Sequence, residues 1–210
     1  MTDLETELAT FYDRQAPQRA ARNPPPPRIQ RRDDFIALLR LEHRGSVIEI
    51  GTGTGQDATA LQSSGLAVSG IDLSAEHVRH CREGGIDARQ ASLFDIPFED
   101  GTFDAGWTMS TLLHVPDTRL GDALTEITRV LAPGAPLAIG LWGGPDIEQH
   151  LTHREIQLPR FFSWRSDARI RELLMPHGTL ERFETWPDSD PDSELHYQYC
   201  LLRTPSPAAS

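Results

Sequence analysis

The residues best suited to bind a ligand are three glycines at the end of a short apolar run. The sequence VIEIGTGTG occupies residues 47–55, and Gly51, Gly53 and Gly55 end it. Glycine allows a tight turn and close approach of the backbone to a ligand, and a following helix presents free N–H groups. Asp72 ends the next apolar run, 21 residues after Gly51. A carboxylate there can accept both hydroxyls of a ribose, so this spacing predicts a nucleoside site.

The glycine spacing does not match the fingerprint of dinucleotide-binding folds. That fingerprint is GxGxxG, whereas here the third glycine comes one residue early and Gln56 follows it. Glu49 precedes Gly51 by two residues, where a dinucleotide would place its pyrophosphate. An acid at this position suits a ligand that carries an ammonium group and a positively charged sulfur.

Alternating strand and helix patterns surround these residues. Strands are predicted at 46–50, 67–71, 86–91, 103–109 and 137–142, and helices at 57–62, after Ser74 and at 117–131. A helix near 170–174 and two strands near 179–186 and 195–202 complete the pattern. The alternation predicts an α/β fold with a doubly wound, mostly parallel sheet. The two successive strands predict an antiparallel hairpin at its end.

Four segments in the middle of the chain have the order and spacing of a known family's motifs. They are VIEIGTGTGQDA (47–58), GIDLS (70–74), ASLFDIPFEDGTFDAGW (91–107) and RVLAPGAPLAIGLW (129–142). Together they resemble class I S-adenosylmethionine (SAM)-dependent methyltransferases of the small-molecule type, similar to methyltransferase domains 11 and 25. The resemblance implies a Rossmann-like, three-layer α/β/α fold with a seven-stranded sheet and an antiparallel C-terminal strand. It also implies SAM as cofactor, S-adenosylhomocysteine (SAH) as product, and O- or N-methylation of a small molecule.

The resemblance further implies which residues bind the cofactor. The glycine turn would line the methionine portion, with Glu49 near its ammonium group, and Asp72 would bind the ribose. The family usually has an aspartate for the adenine amino group where this chain has Ser92, so that contact is expected to be weaker or rearranged. The full implied set is Glu49, Gly51, Thr52, Gly53, Gly55, Asp72, Leu73, Ser92, Leu93, Met109 and Ser110.

His114 is the candidate catalytic base. It lies in STLLHVPD (110–117), after the fourth strand of the predicted sheet and at the edge where ligands bind. Methyl transfer requires a base only if the nucleophile must lose a proton. The alternative interpretation is a structural histidine that caps the loop before Pro116, and the residue is often architectural in the family.

Substrate contacts are expected from the N-terminal helix and from residues 143–165, interpreted as a substrate-cap insertion. Aromatic side chains there offer flat apolar faces, and an arginine can bind a carboxylate or phosphate through a planar fork. The candidate substrate residues are Tyr12, His114, Trp142, Arg160, Phe161 and Trp164. For Arg28, Arg31 and Arg32, a solvated surface run is favoured over contact with the methionine carboxylate.

The N-terminal third begins with a helical pattern and a proline cluster. Residues 1–32 are interpreted as a helix and a proline-rich, non-helical crossing at 23–27, which together form a lid or cap. Residues 33–203 form the methyltransferase domain, and residues 204–210 a flexible tail.

Composition limits the classes of partner. The 210 residues include 20 Lys and Arg against 31 Asp and Glu, a net charge of −11, so a nucleic-acid partner is not expected. No run approaches the ~20 uncharged apolar residues that cross a membrane, and no membrane contact is expected. Only Cys81 and Cys200 occur and no signal peptide is visible, which predicts a cytoplasmic protein.

Two functions outside methyl transfer stay open from the sequence. A nicotinamide-dependent oxidoreductase would use a similar glycine turn, although Glu49 and the final hairpin disfavour it. A SAM-binding module without catalysis, acting as a regulatory subunit, would keep the same cofactor residues. His77, His80 and Cys81 lie on one helix face at metal-binding spacing, but no fourth ligand is evident, so no metal is expected.

Overall fold

Helices and strands alternate along residues 2–206, the part of the chain that the computed structural model describes. The helices are α1 Asp3–Ala20, α2 Pro26–Leu41, α3 Gln56–Ser63, α4 Ala75–Glu83, α5 Asp117–Arg129 and α6 Asp167–Leu174. The strands are β1 Ser46–Ile50, β2 Ala67–Asp72, β3 Asp87–Gln90, β4 Ala105–Met109, β5 Pro136–Gly143, β6 Ile147–Thr152, β7 Pro159–Trp164, β8 Thr179–Pro187 and β9 His196–Arg203. None of these helices has the length and hydropathy needed to cross a lipid bilayer.

Seven of the strands form one sheet in the order β3-β2-β1-β4-β5-β9-β8. β1 pairs in parallel with β2 and β4, whereas β9 runs antiparallel to both β5 and β8. The parallel strands need long crossover connections, and helices supply most of them. The predicted Rossmann-like α/β fold, mostly parallel with an antiparallel C-terminal strand, is confirmed.

The central strand β1 is buried from both sides of the sheet. Successive side chains of a strand point to opposite faces. Val47 packs with Phe35 and Leu39 of α2, whereas Ile48 packs in a second cluster with Leu120 of α5. Two hydrophobic layers therefore hold the sheet, and they fix the position of the loop that follows β1.

The proline cluster is partly helical, contrary to the sequence prediction. α2 begins at Pro26, with Pro25 in extended conformation as its N-cap. Proline is tolerated in the first turn of a helix because the N–H groups there have no partner within the helix. The boundary predicted at residue 32 therefore falls inside α2, and this helix packs on the sheet through Phe35 and Leu39.

The insertion predicted at 143–165 contains a β-hairpin that the sequence pattern did not reveal. β6 and β7 pair in antiparallel fashion and form a separate two-stranded sheet. β7 contacts both α1 and the 3₁₀ turn Leu112–His114. The hairpin thus lies between the N-terminal helix and the loop after β4.

The predicted tail begins later than residue 204. Thr204 is buried, its hydroxyl donates to the Ala132 carbonyl oxygen at 3.0 Å, and it accepts from the Ala135 N–H at 2.8 Å. These bonds attach the end of β9 to the turn before β5. Residues 207–210 of the predicted tail lie outside the described residues.

Candidate active site

A cavity of about 1020 Å³ opens at the carboxyl ends of β1, β2, β4 and β5. Clefts of this size at this edge of a parallel sheet are where α/β folds bind ligands. One end, which we call the glycine end, is lined by Gly51, Gly53, Asp72 and Leu93. The other, which we call the aromatic end, is lined by Tyr12, Trp142, Arg160, Phe162 and Trp164.

The glycine turn has the left-handed backbone that its sequence predicts. Gly51, Gly53 and Gly55 have φ values of 76°, 53° and 78°. A Cβ atom at Gly51 would overlap the side chain of Thr111, and one at Gly55 would come within 2.9 Å of Cys81 Sγ. Gly51 and Gly53 line the cavity, but Gly55 does not and serves instead as the N-cap of α3.

Asp72 is held at the floor of the glycine end by backbone donors. Its Oδ2 atom accepts from the Gly53 N–H at 2.8 Å, and its Oδ1 atom accepts from the Ser74 N–H at 2.9 Å. His77 Nδ1 lies 3.4 Å from the same Oδ1 atom. Each carboxylate oxygen has a second acceptor site. Asp72 is therefore fixed in orientation. It can accept one hydroxyl group at Oδ2 and, when His77 Nδ1 carries no proton, a second at Oδ1.

Glu49 is buried rather than part of the cavity lining. It is 1% exposed, and its Oε2 atom has no hydrogen-bond partner among residues 2–206. Burial, and next the charge of Asp57, raise the pKa of Glu49 well above its usual value. An unpartnered carboxylate oxygen this deep is costly unless a donor completes it. An ammonium group, directly or through water, is such a donor.

Asp57 is the centre of a buried ion-pair cluster that the sequence analysis missed. Its carboxylate accepts from Arg28 Nη2 at 2.6 Å, from Arg32 Nη1 at 3.1 Å and from Trp107 Nε1 at 3.0 Å. Arg31 pairs with Glu184. The predicted surface run of arginines is therefore wrong. No local pattern identifies Asp57, because these three partners lie 25 to 50 residues away.

A carboxylate reaches residue 92 from α1. The Ser92 hydroxyl donates to a Glu5 carboxylate oxygen and accepts from the Phe94 N–H at 3.0 Å. Glu5 also accepts from the Thr2 N–H at 2.6 Å, which completes the capping box of α1. Glu5, Leu93 and Phe94 line the cavity, whereas Ser92 does not. Glu5 thus places a carboxylate beside position 92, where this chain has serine in place of the family's usual aspartate.

Ser110 lies at the junction of the two ends and has an unusual backbone. Its φ is 59°, a region that residues other than glycine seldom occupy and that often occurs at functional sites. Its hydroxyl lies 3.0 Å from the Tyr197 hydroxyl, and its N–H donates to the Gly140 carbonyl at 2.6 Å. Ser110 and Met109, both predicted to bind the cofactor, line the cavity.

Both ring nitrogens of His114 are occupied. Nδ1 lies 2.7 Å from the Phe161 carbonyl oxygen, and Nε2 lies 2.5 Å from the Tyr12 hydroxyl. A carbonyl only accepts, so Nδ1 carries the proton and Nε2 accepts from Tyr12. Burial lowers the pKa of His114 to about 3. The predicted free base is therefore absent, and the geometry fits the structural alternative, in which His114 fixes α1 and β7.

The strand β7 presents alternate side chains to the cavity. Arg160, Phe162 and Trp164 line it, whereas Phe161 and Ser163 do not. Period-two alternation is the rule for a strand. The prediction for Phe161 as a substrate contact is wrong, because its ring packs on His150 and only its carbonyl takes part, through His114. Phe162 takes its place.

Arg165 fastens the loop that carries His114. It is 1% exposed, and its Nε donates to Asp117 Oδ1 at 2.6 Å. Its guanidinium also donates to the carbonyl oxygens of Leu112 at 3.2 Å and of Val115 at 2.6 Å. A charged fork of this kind satisfies several carbonyls at once. Sequence analysis missed this residue, and no pattern around it indicates the role.

The histidines with metal-binding spacing do not gather ligands. No group of three or more His, Cys, Asp or Glu side chains suited to a metal occurs within residues 2–206. His77 is buried and borders the cavity beside Asp72, whereas His80 on the same helix is exposed. His77 and His80 therefore lie in two different environments.

A family model described as a methyltransferase domain matches residues 48–139. The O-methyltransferase resE of Aspergillus sclerotiorum is 31% identical over 102 residues, which cover 44% of this chain and 38% of that protein. The botryococcene C-methyltransferase of Botryococcus braunii is 32% identical over 117 residues, 51% of this chain and 30% of that protein. The chain spans less than half the length of these curated relatives.

Some solved structures match nearly the whole chain. The DhpI–SAH complex has a TM-score of 0.66 and 25% sequence identity, and the alignment covers 97% of this chain and 98% of that one. The similarity thus extends beyond the family-matched segment, to α1 and the strands after α6. The glycine turn, Asp72 and Ser110 all fall within residues 48–139.

Proposed function

We propose that this chain, which resembles class I SAM-dependent methyltransferases in sequence and fold, transfers the methyl group of SAM to an oxygen or nitrogen atom of a small planar molecule. The observation that carries the proposal is that a single cavity joins the glycine end to the aromatic end. A cofactor at the first and an acceptor at the second would meet near Ser110. Transfer requires such a meeting, because the reacting atoms must approach to about 3–3.5 Å.

The glycine end supplies groups that fit each part of SAM. Asp72 would accept the ribose hydroxyls at Oδ2 and, with His77 Nδ1 unprotonated, at Oδ1. Leu73 and Leu93 offer apolar surface to the adenine. The unpartnered Oε2 atom of Glu49 would accept from the ammonium group, directly or through water. We propose that Glu5, which lies over Ser92, accepts from the adenine amino group.

The bound cofactor would supply an activated methyl group on a positively charged sulfur. The protein's contribution is to align the acceptor and to exclude water. α1 closes the cavity through two anchored residues: Tyr12 bonds to His114, and Asp13 accepts from the Ser74 hydroxyl at 2.6 Å. No proton transfer to His114 is assigned, because its Nε2 atom already accepts from Tyr12.

Calorimetric titration with SAM, SAH and NAD tests the cofactor assignment first. We expect micromolar binding of SAM and SAH and none of NAD. A methyl-transfer assay with isotope-labelled SAM and a panel of planar phenols, carboxylic acids and amines then tests the reaction. Binding of NAD alone, or of none of the three, would contradict the proposal.

A second candidate is a SAM-binding module without transfer activity. The occupied nitrogens of His114 favour it, because the candidate base is already bonded to Tyr12 and to the Phe161 carbonyl. For SAH affinity this candidate predicts the same value as the methyltransferase proposal. For the transfer assay it predicts no labelled product with any acceptor class. The labelled-SAM assay on acceptors that need no deprotonation before attack, such as carboxylates and aromatic amines, separates the two.

A further inference from the structure

Two arginines of the aromatic end differ from every other shielded arginine of residues 2–206. Arg19 and Arg160 are partly buried and line the cavity, yet no carboxylate lies within 4.0 Å of either. The other buried or partly buried arginines all have such a partner: Arg28, Arg31, Arg32, Arg44, Arg89, Arg119, Arg129, Arg165, Arg169 and Arg203. In a chain with 31 acids for 20 bases, this is a local excess of positive charge.

Aromatic rings fix both guanidinium groups in place. The Arg160 Cζ atom lies 4.5 Å from the centroid of Phe162 and 4.8 Å from that of Phe11. The Arg19 Cζ atom lies 5.1 Å from the centroid of Tyr12, whose hydroxyl is 3.5 Å from Arg160 Nη1. Cation–π contact orients a guanidinium but does not neutralise it. The charges therefore stay available to a ligand.

The surrounding groups do not compensate these charges. His114 is neutral in its bonded state, and Gln15 accepts from Arg19 Nε at 2.8 Å as an uncharged amide. Burial, together with the nearby Arg160, lowers the pKa of Arg19, while Tyr12 opposes the shift. Bringing two cations together in a shielded place is unfavourable without an anion. The site is incomplete until one binds.

We propose that the acceptor molecule is a planar aromatic compound with an anionic oxygen, a carboxylate or phenolate, which Arg160 binds with help from Arg19. Its ring would pack against Trp142, Phe162 and Trp164. A planar guanidinium matches an oxyanion in fork geometry, and the stacked rings of Phe162 and Trp164, 5.6 Å apart, offer a flat face. The identification of the bound anion as the methyl acceptor rests on the proposed function. The anion site itself does not depend on it.

The test uses benzoate and benzamide, which match in shape and differ in charge. Each is titrated into SAH-saturated protein by calorimetry or by ligand-observed NMR. We expect benzoate to bind at least about tenfold more tightly than benzamide, because a charge-assisted bond to Arg160 adds to the same ring contacts. In Arg160→Met this preference should vanish, while SAH affinity stays within about twofold.

Arg119→Met is the matched control. Arg119 also lines the cavity and lies over an aromatic ring, Phe94, but it pairs with Asp122 at 3.2 Å. It should therefore keep the preference for benzoate. Equal affinity for the two probes in the wild type overturns the inference, and so does an unchanged preference in Arg160→Met.

Two outcomes separate this inference from the proposed function. If SAH fails to bind and benzoate still binds more tightly than benzamide, the anion site stands and the methyltransferase proposal falls. If Arg160→Met weakens SAH binding about tenfold or more and leaves the preference intact, Arg160 binds the carboxylate of the cofactor. That result overturns the acceptor assignment.

Discussion

The glycine end and the aromatic end of the cavity are held by contacts of different range. Asp72 takes its donors from Gly53 and Ser74, which are 19 and 2 residues away. At the aromatic end, by contrast, Tyr12 meets His114 across 102 residues. The glycine end needs only a strand, a turn and a following acid. The aromatic end requires α1 and β7, which come from distant parts of the chain.

This difference separates the two ends in function as well as in assembly. The glycine end is built on backbone donors at the carboxyl edges of β1 and β2, so it depends little on other side chains. The aromatic end depends on a few side chains that join α1, β7 and the loop after β4. A change at one end should therefore leave the other largely intact, and single substitutions can test whether the two ends are independent.

The largest effect is expected on stability, from Arg165→Met. The change leaves the Leu112 and Val115 carbonyls without their buried donor and removes an ion pair with Asp117. We expect a loss of about 3 kcal/mol in the free energy of unfolding, measured by urea denaturation. Arg169→Met is the control: Arg169 pairs with the same carboxylate at 2.8 Å, but 36% of its side chain is exposed, so its loss should cost under about 1 kcal/mol.

The same Arg165 variant tests the separation directly. SAH affinity should stay within about threefold, because no contact of Arg165 reaches the glycine end. Asp72→Ala, by contrast, changes the glycine end itself. Equal losses for the two arginine variants would mean that the buried fork does not hold the loop.

The next effect concerns ligand affinity, from Asp72→Ala. The change removes two charge-assisted hydrogen bonds of about 1.5 kcal/mol each, so SAH should bind roughly a hundredfold more weakly in calorimetry. Asp72→Asn, which keeps one acceptor oxygen for the backbone, should lose about tenfold if the charge matters. Asp87→Ala, at the start of β3, should change nothing. Wild-type affinity in a folded Asp72 variant would show that the ribose lies elsewhere.

A third prediction concerns pH and the aromatic end. Burial lowers the pKa of His114 from 6.5 to about 3, so between these values the unfolded chain binds a proton that the folded chain does not. Stability from His114 is fully present above pH 6.5 and falls as pH drops toward 3. Between pH 7 and 5 the wild type should lose about 2 kcal/mol more than His114→Asn does.

His80→Asn is the control for that titration, since His80 is exposed on α4. Urea denaturation at pH 7, 6 and 5 should give this variant the same slope as the wild type. If His114→Asn also follows the wild-type slope, His114 is accessible to protons and could act as a base, contrary to its bonding in the structure.

The succession of the sheet strands along the chain, the turn after β1 and the positions of Asp72 and Ser110 at strand ends were accessible from sequence. They depend on local periodicity and on glycines at positions where a Cβ atom would clash with a neighbour. β7 was not, because Phe161 and Phe162 are both apolar and hide the alternation of PRFFSW. Arg165 and Asp57 were not, because their partners are fixed only by the tertiary fold. Arg160 lines the cavity, and its prediction as a substrate contact came from its residue type alone, not from a pattern.

Glu5 crosses this division, because it belongs to α1 but lies beside Ser92 and Leu93 at the glycine end. Glu5→Gln keeps the capping box, in which glutamine substitutes for glutamate, but turns an all-acceptor group into one that also donates. We expect adenosine to lose about tenfold in affinity and inosine, which lacks the amino group, to change by less than about twofold. Glu7→Gln, on an exposed position of the same helix, should alter neither value. Equal losses for both nucleosides would show that Glu5 acts through helix stability, and the glycine end would then depend on α1 only for closure.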